Sequence, residues 1–176
     1  EEFGVSGVPG IEVQLGERGG ESDGHLNAFP VTPRPGRPWG WSEGVARAVD
    51  DIYADWQEAP ASSAPPVVQL NHPRGLQLVP EEPPRTDAHA LFNARGYDRQ
   101  QPPGEGGNGW MTAPTGERGT TALDFELLEV VNRFSWPLYR QVRQDWFALI
   151  EAGYPRTATG NSDSHGLALE LAGLPV

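Results

Sequence analysis

Short apolar runs alternate with longer amphipathic stretches along this chain, and that alternation constrains its fold more than any other feature. Ile11-Glu12-Val13-Gln14-Leu15 follows Pro9-Gly10 and alternates apolar and polar residues, which predicts a strand. His25 to Val31 predicts the next, with Pro30 near its end. Val67-Val68-Gln69-Leu70 and Leu127-Leu128-Glu129-Val130-Val131-Asn132 read as buried strands, and Arg156 to Asn161 as a last short one. Ser42 is a good N-cap for a helix through about Trp56, with Val45, Val49, Ile52, Tyr53 and Trp56 on one stripe. A second helix spans Trp136 to Ala152, with Leu138, Val142, Trp146, Leu149 and Ile150 on its apolar face, and Gly153 followed by Pro155 ends it. Strands alternating with helices predict an α/β fold with a mainly parallel sheet. At 176 residues the chain has the length of one domain.

Punctuation limits how compact the connections are. The chain holds 22 Gly and 18 Pro, which break the elements with many turns. Residues 76–120, with Glu82-Pro83-Pro84 and Pro102-Pro103-Gly104-Glu105-Gly106-Gly107, predict a long loop excursion. Such excursions in compact domains are usually functional lids or disordered inserts, and its place after a strand leads us to expect a part in substrate choice.

Charge and composition exclude several roles. Thirteen basic against 24 acidic residues give a net charge of −11, so no basic stripe exists to grip nucleic acid. No apolar run reaches the roughly 18 residues of a membrane helix. Glu1-Glu2-Phe3-Gly4 is not a signal peptide. Without cysteine there are no disulfides and no thiolate sites, so any metal must be held by His, Asp and Glu.

The residue types that can do this gather near strand ends. Glu12 lies in or at the end of the first strand, His25 opens the second, His72 follows the third, and Asp163 and His165 follow the last. Ligands in parallel α/β folds bind at the carboxyl ends of strands, where residues distant in sequence converge. A mixed His and carboxylate set suits Zn, Mn or Fe, and such ions activate water for hydrolysis. No Gly-x-Ser-x-Gly elbow supports a serine hydrolase. Each residue has a plainer reading beside this one. Glu12 suits a strand edge, His72 a strand end, His25 a surface pair with Asp23, and Asp163 and His165 a helix cap before Gly166-Leu167-Ala168. Three of the four histidines have an aspartate two residues before them, so that spacing alone decides nothing. His89, in the polar excursion, is assigned no role.

Five segments taken in order resemble a known family. They are Pro9-Gly10-Ile11-Glu12, Gly24-His25-Leu26-Asn27-Ala28-Phe29-Pro30, Gln69-Leu70-Asn71-His72-Pro73-Arg74, Leu128-Glu129-Val130-Val131-Asn132 and Gly160-Asn161-Ser162-Asp163-Ser164-His165. Their order is similar to that of PHP-domain metallohydrolases (polymerase and histidinol phosphatase type), and the segments around His25 and His72 look most like the branch containing carbaryl hydrolases. The resemblance implies a distorted β/α barrel with up to three divalent metals at the carboxyl ends of its strands. It implies Glu12 as a bridging carboxylate, His25 and His72 completing one site with it, Asp163 on a second metal and His165 on the third. Glu129 and Asn132 would orient the ligands, and Arg74 would meet an anionic substrate or stand on the surface. The implied activity is attack of metal-activated water on a phosphoester of a small molecule, with carbamate or carboxylic ester hydrolysis as the alternative. The family's His-x-His strand motif and later Asp-His do not precede Glu12. The chain therefore resembles a member lacking its N-terminal strands and cut short after His165, an incomplete barrel with about one complete metal site. A non-catalytic metal-binding fragment is the further alternative.

Overall fold

A computed structural model describes residues 8, 10–16, 22–31, 52, 53, 56, 66–75, 90–114, 119–132 and 135–161. They form a mixed α/β structure built on one five-stranded sheet. Strands β1 (Ile11–Gly16), β2 (Ser22–Phe29), β3 (Val67–Asn71), β4 (Leu127–Asn132) and β5 (Thr157–Asn161) lie side by side in chain order.

Alternation sorts the two faces of the sheet. Val13 and Leu15 of β1, Leu26 and Ala28 of β2, Val68 and Leu70 of β3, and Leu128 and Val130 of β4 are all buried in one apolar core. With a side-chain period of two, the residues between them fall on the opposite face. That face carries Glu12 and Gln14, His25 and Asn27, Gln69 and Asn71, and Glu129. The apolar face therefore stabilises the fold and leaves the polar face for chemistry.

Strand direction departs in part from expectation. β3, β4 and β5 run parallel, but β1 pairs antiparallel with β2 and β2 antiparallel with β3. Only residues 17–21 separate β1 from β2, far fewer than a parallel crossover requires, so the pair has to be antiparallel. Among the described residues the sheet is open, with β1 and β5 at its edges.

Between β4 and β5 runs helix α2 (Trp136–Glu151); the single-turn helix α1 (Leu91–Ala94) precedes both. Ser135 caps α2, its Oγ accepting the Leu138 N–H at 3.4 Å. Leu138, Val142, Asp145 and Leu149 form its buried stripe at helical spacing. Gly153, at φ +87, closes the helix, with its own N–H on Ile150 O and the Tyr154 N–H on Leu149 O. This is the paired C-terminal bonding that a left-handed glycine permits.

The excursion is more ordered than its composition predicts. Its described parts are 90–114 and 119–120; the first contains α1 and a 3₁₀ turn (Gly106–Met111) and places Leu91, Phe92, Tyr97 and Met111 in the core. Of the helix expected over 42–56, Ile52, Tyr53 and Trp56 are helical and buried; its remaining residues lie outside the described set. No helix among the described residues is long and apolar enough to cross a membrane.

Candidate metal centre

Three of the five expected ligands come together on the polar face. Glu12 sits on β1, His25 on the neighbouring β2, and His72 directly after β3. His25 is the register partner of Asn71, so the next residue, His72, emerges beside it. The His72 Nε2 and His25 Nδ1 atoms are 2.9 Å apart, and the rings meet edge to face with centroids at 4.7 Å. Glu12 Oε1 lies 3.7 Å from His25 Nδ1. Donors at about 2.0–2.1 Å from one tetrahedral ion stand about 3.3 Å apart, so these two spacings straddle the value a shared ion imposes. As arranged, however, the imidazole nitrogens face each other at hydrogen-bond distance. Among the described residues no group of three or more His, Asp or Glu side chains is disposed to hold an ion. The donor types suit a divalent metal; to hold one, the imidazole nitrogens have to turn from each other and the half-exposed Glu12 carboxylate has to draw inward.

A polar network supports these groups. Asn71 Nδ2 donates to Glu12 Oε1 at 3.1 Å, and Gln69 Nε2 donates to Asn71 Oδ1 at 2.8 Å. Glu129, only 2% exposed, accepts the His72 backbone N–H on Oε2 at 2.5 Å. The same oxygen accepts from Asn132 Nδ2 at 3.2 Å, and the Asn161 side chain also bonds the carboxylate. Burial pushes the Glu129 carboxyl above the ordinary range, while the His72 N–H and the two amides pull it back. Residues three apart on a regular strand point to opposite faces. Here a bulge at Glu129/Val131 inserts one residue and turns Asn132 onto the Glu129 side. Glu129 and Asn132, expected to orient ligands, thus stand together behind the His72 backbone.

His72 itself has φ +24, in the left-handed region that residues other than glycine rarely enter. Such a conformation persists only where the surroundings impose it.

Arg74 is placed otherwise than a substrate contact. It is 7% exposed, and its guanidinium holds the fully buried Asp145 through Nε at 2.7 Å and Nη2 at 3.2 Å. Its remaining donors reach Phe92 O, Asn93 Oδ1 and Tyr97 O. The five N–H groups of an arginine are thereby used internally, and none is left for an anion. Asp163 and His165 lie outside the described residues, as does His89.

Sequence reasoning missed Gln69, Asn71, Asn161 and Asp145. For Asp145 a signal existed, since it is a carboxylate at a core position of the helical stripe between Val142 and Leu149. Gln69 is a polar residue within a strand read as buried, and Asn71 follows that strand directly; a buried polar side chain requires a partner. No protein-family model, curated protein or solved structure matches the chain.

Proposed function

We propose that this protein is a metal-dependent hydrolase, of the PHP-like incomplete-barrel type that its sequence resembles, acting on a small-molecule phosphoester. The observation that carries the reading is the approach of His25 and His72 to 2.9 Å beside the Glu12 carboxylate, on the polar face of the sheet. Glu12, His25 and His72 would hold one divalent ion of the Zn, Mn or Fe class. Such an ion, when bound, supplies Lewis-acid polarisation and lowers the pKa of water. The chain's own residues prepare its place. Asn71 fixes the Glu12 oxygen that faces His25. Glu129 anchors the His72 backbone through its N–H. Neutral imidazole is required for ligation, so protons compete with the ion for the same nitrogens.

Carbamate or carboxylic ester hydrolysis is the second reading. It is favoured by the groove beside Glu12, where Val8, Ile11, Ala28 and Phe29 make the walls and no cation is present among the described lining residues. A neutral, apolar ester suits such walls better than a phosphate dianion.

Elemental analysis of chain purified without chelator, beside His72→Ala, tests the shared premise. About one metal per chain, lost in the variant, is the expected result. A panel of aryl phosphates and aryl carbamates then separates the readings. Metal-dependent phosphate turnover, lost in His72→Ala, upholds the first; carbamate turnover alone transfers the assignment to the second. Metal binding with no turnover of either identifies a non-catalytic metal-binding protein, and a folded chain without metal overturns all three.

A further inference from the structure

We propose that Asp145, on α2, is a positioning residue for His72 and acts on it through Arg74; the inference rests on the reading of His72 as a metal ligand. Three consecutive residues after β3 are each held by a different part of the molecule. Glu129 of β4 accepts the His72 N–H at 2.5 Å. The Phe92 N–H of α1 donates to Pro73 O at 2.9 Å. Asp145 grips Arg74 through two oxygens at 2.7 and 3.2 Å.

The third contact is the most demanding. Asp145 is fully buried, and its Oδ1 also lies 3.0 Å from Arg99 Nε. The Arg74 guanidinium carbon stands 5.5 Å from the Phe92 ring centre and 5.3 Å from that of Tyr97. A planar, bidentate, stacked guanidinium has little freedom to shift. Only Pro73 separates it from His72, and the proline ring fixes its own φ. Proline also disfavours helical backbone in the residue before it, so His72 has few conformations to choose from. His72 occupies an uncommon one, φ +24. A held Arg74 therefore prevents His72 from relaxing, and its ring stays directed at His25.

The clamp also explains why a carboxylate stands at a core position of α2. Residues that hold a ligand from behind commonly change metal affinity about 10- to 100-fold when removed. The test compares Asp145→Asn, Arg74→Lys and Arg99→Gln with the unaltered chain. Zinc affinity is measured by competition with a chromophoric chelator, and the histidine ring nitrogen resonances are recorded in the metal-free protein. Arg74→Lys and Asp145→Asn are expected to weaken zinc about 10- to 100-fold and to shift the His72 ring resonances. Arg99→Gln, which removes the outer contact, is expected to leave both unchanged. A purely structural role lowers the melting temperature and moves neither readout in the folded protein. Wild-type affinity and wild-type resonances in folded Arg74→Lys and Asp145→Asn overturn the proposal. If Asp145→Asn does not fold, the milder Arg74→Lys decides by the same readouts. If His72→Ala binds zinc as tightly as the unaltered chain, the ligand reading fails, and the metal-free resonances alone decide the positioning of His72.

Discussion

Tyr97 is 4% exposed, and its hydroxyl has no hydrogen-bond partner among the described residues. Burial, with the nearby Asp145 carboxylate, pushes its phenol from 10.0 up to about 12. The folded state thus holds the phenolic proton more tightly than the unfolded chain does. The contribution to stability is complete below pH 10 and is lost as pH rises toward about 12, a change on the order of 2–3 kcal/mol. Tyr97→Phe is expected to remove that part of the alkaline loss. At neutral pH the same variant is expected to gain about 1 kcal/mol, because a buried hydroxyl without a partner carries a desolvation cost. Urea unfolding of both proteins at pH 7 and at pH 11 measures the two effects. A variant less stable than the unaltered chain at pH 7 sinks the argument, since the hydroxyl then has a partner.

The loop between β3 and β4 gains its order from individual side chains more than from helix length. Asn108 is fully buried and acts as its internal post: Nδ2 donates to Asp98 O at 2.7 Å and Gln101 O at 2.6 Å, while Oδ1 accepts the Asp98 N–H at 3.0 Å. Asn108→Ala leaves these backbone groups without partners and is expected to cost about 2–4 kcal/mol in chemical denaturation. A cost below about 0.5 kcal/mol, the size of an ordinary surface change, shows that the loop stands without this post. Proline and glycine hid the order from a reading of composition, because it depends on contacts between residues such as Asp98, Asn108 and Asp145 that only the fold brings together. β3, β4 and α2 were legible nearly to the residue. Their apolar runs end at proline, at Gly153 or at a capping Ser135, and local chemistry decides such boundaries. The first residues of β2 were not legible. Ser22, Asp23 and Gly24 have weak strand propensity and owe their place to pairing with β1. The bulge that unites Glu129 with Asn132 was equally hidden, since a strand's register is set by its neighbour.

Across the whole molecule, the proposed ligands come from β1, from β2 and from the end of β3, so an ion bound to all three would tie neighbouring strands of the sheet. The unfolded chain keeps His25 and His72 47 residues apart and cannot offer the same site. Binding to the folded state alone adds RT ln(1 + [L]/Kd), about 2.7 kcal/mol when free zinc is a hundredfold above Kd. For a chain of this size that corresponds to a rise of about 5–11 °C in Tm. The net charge of −11 offers a competing explanation, since any divalent cation is attracted to an acidic surface. The two separate by ligand chemistry. Magnesium and calcium prefer oxygen donors, whereas imidazole favours zinc and its neighbours. The expected result is a zinc-dependent rise that magnesium does not reproduce, absent from His25→Ala and from His72→Ala, and kept in Arg99→Gln, which alters charge outside the proposed ligands. An equal rise in the histidine variants assigns the effect to the acidic surface and removes the metal centre from this sheet. A rise lost with either histidine means that β2 and the β3 exit act as one binding unit, as their 2.9 Å approach requires.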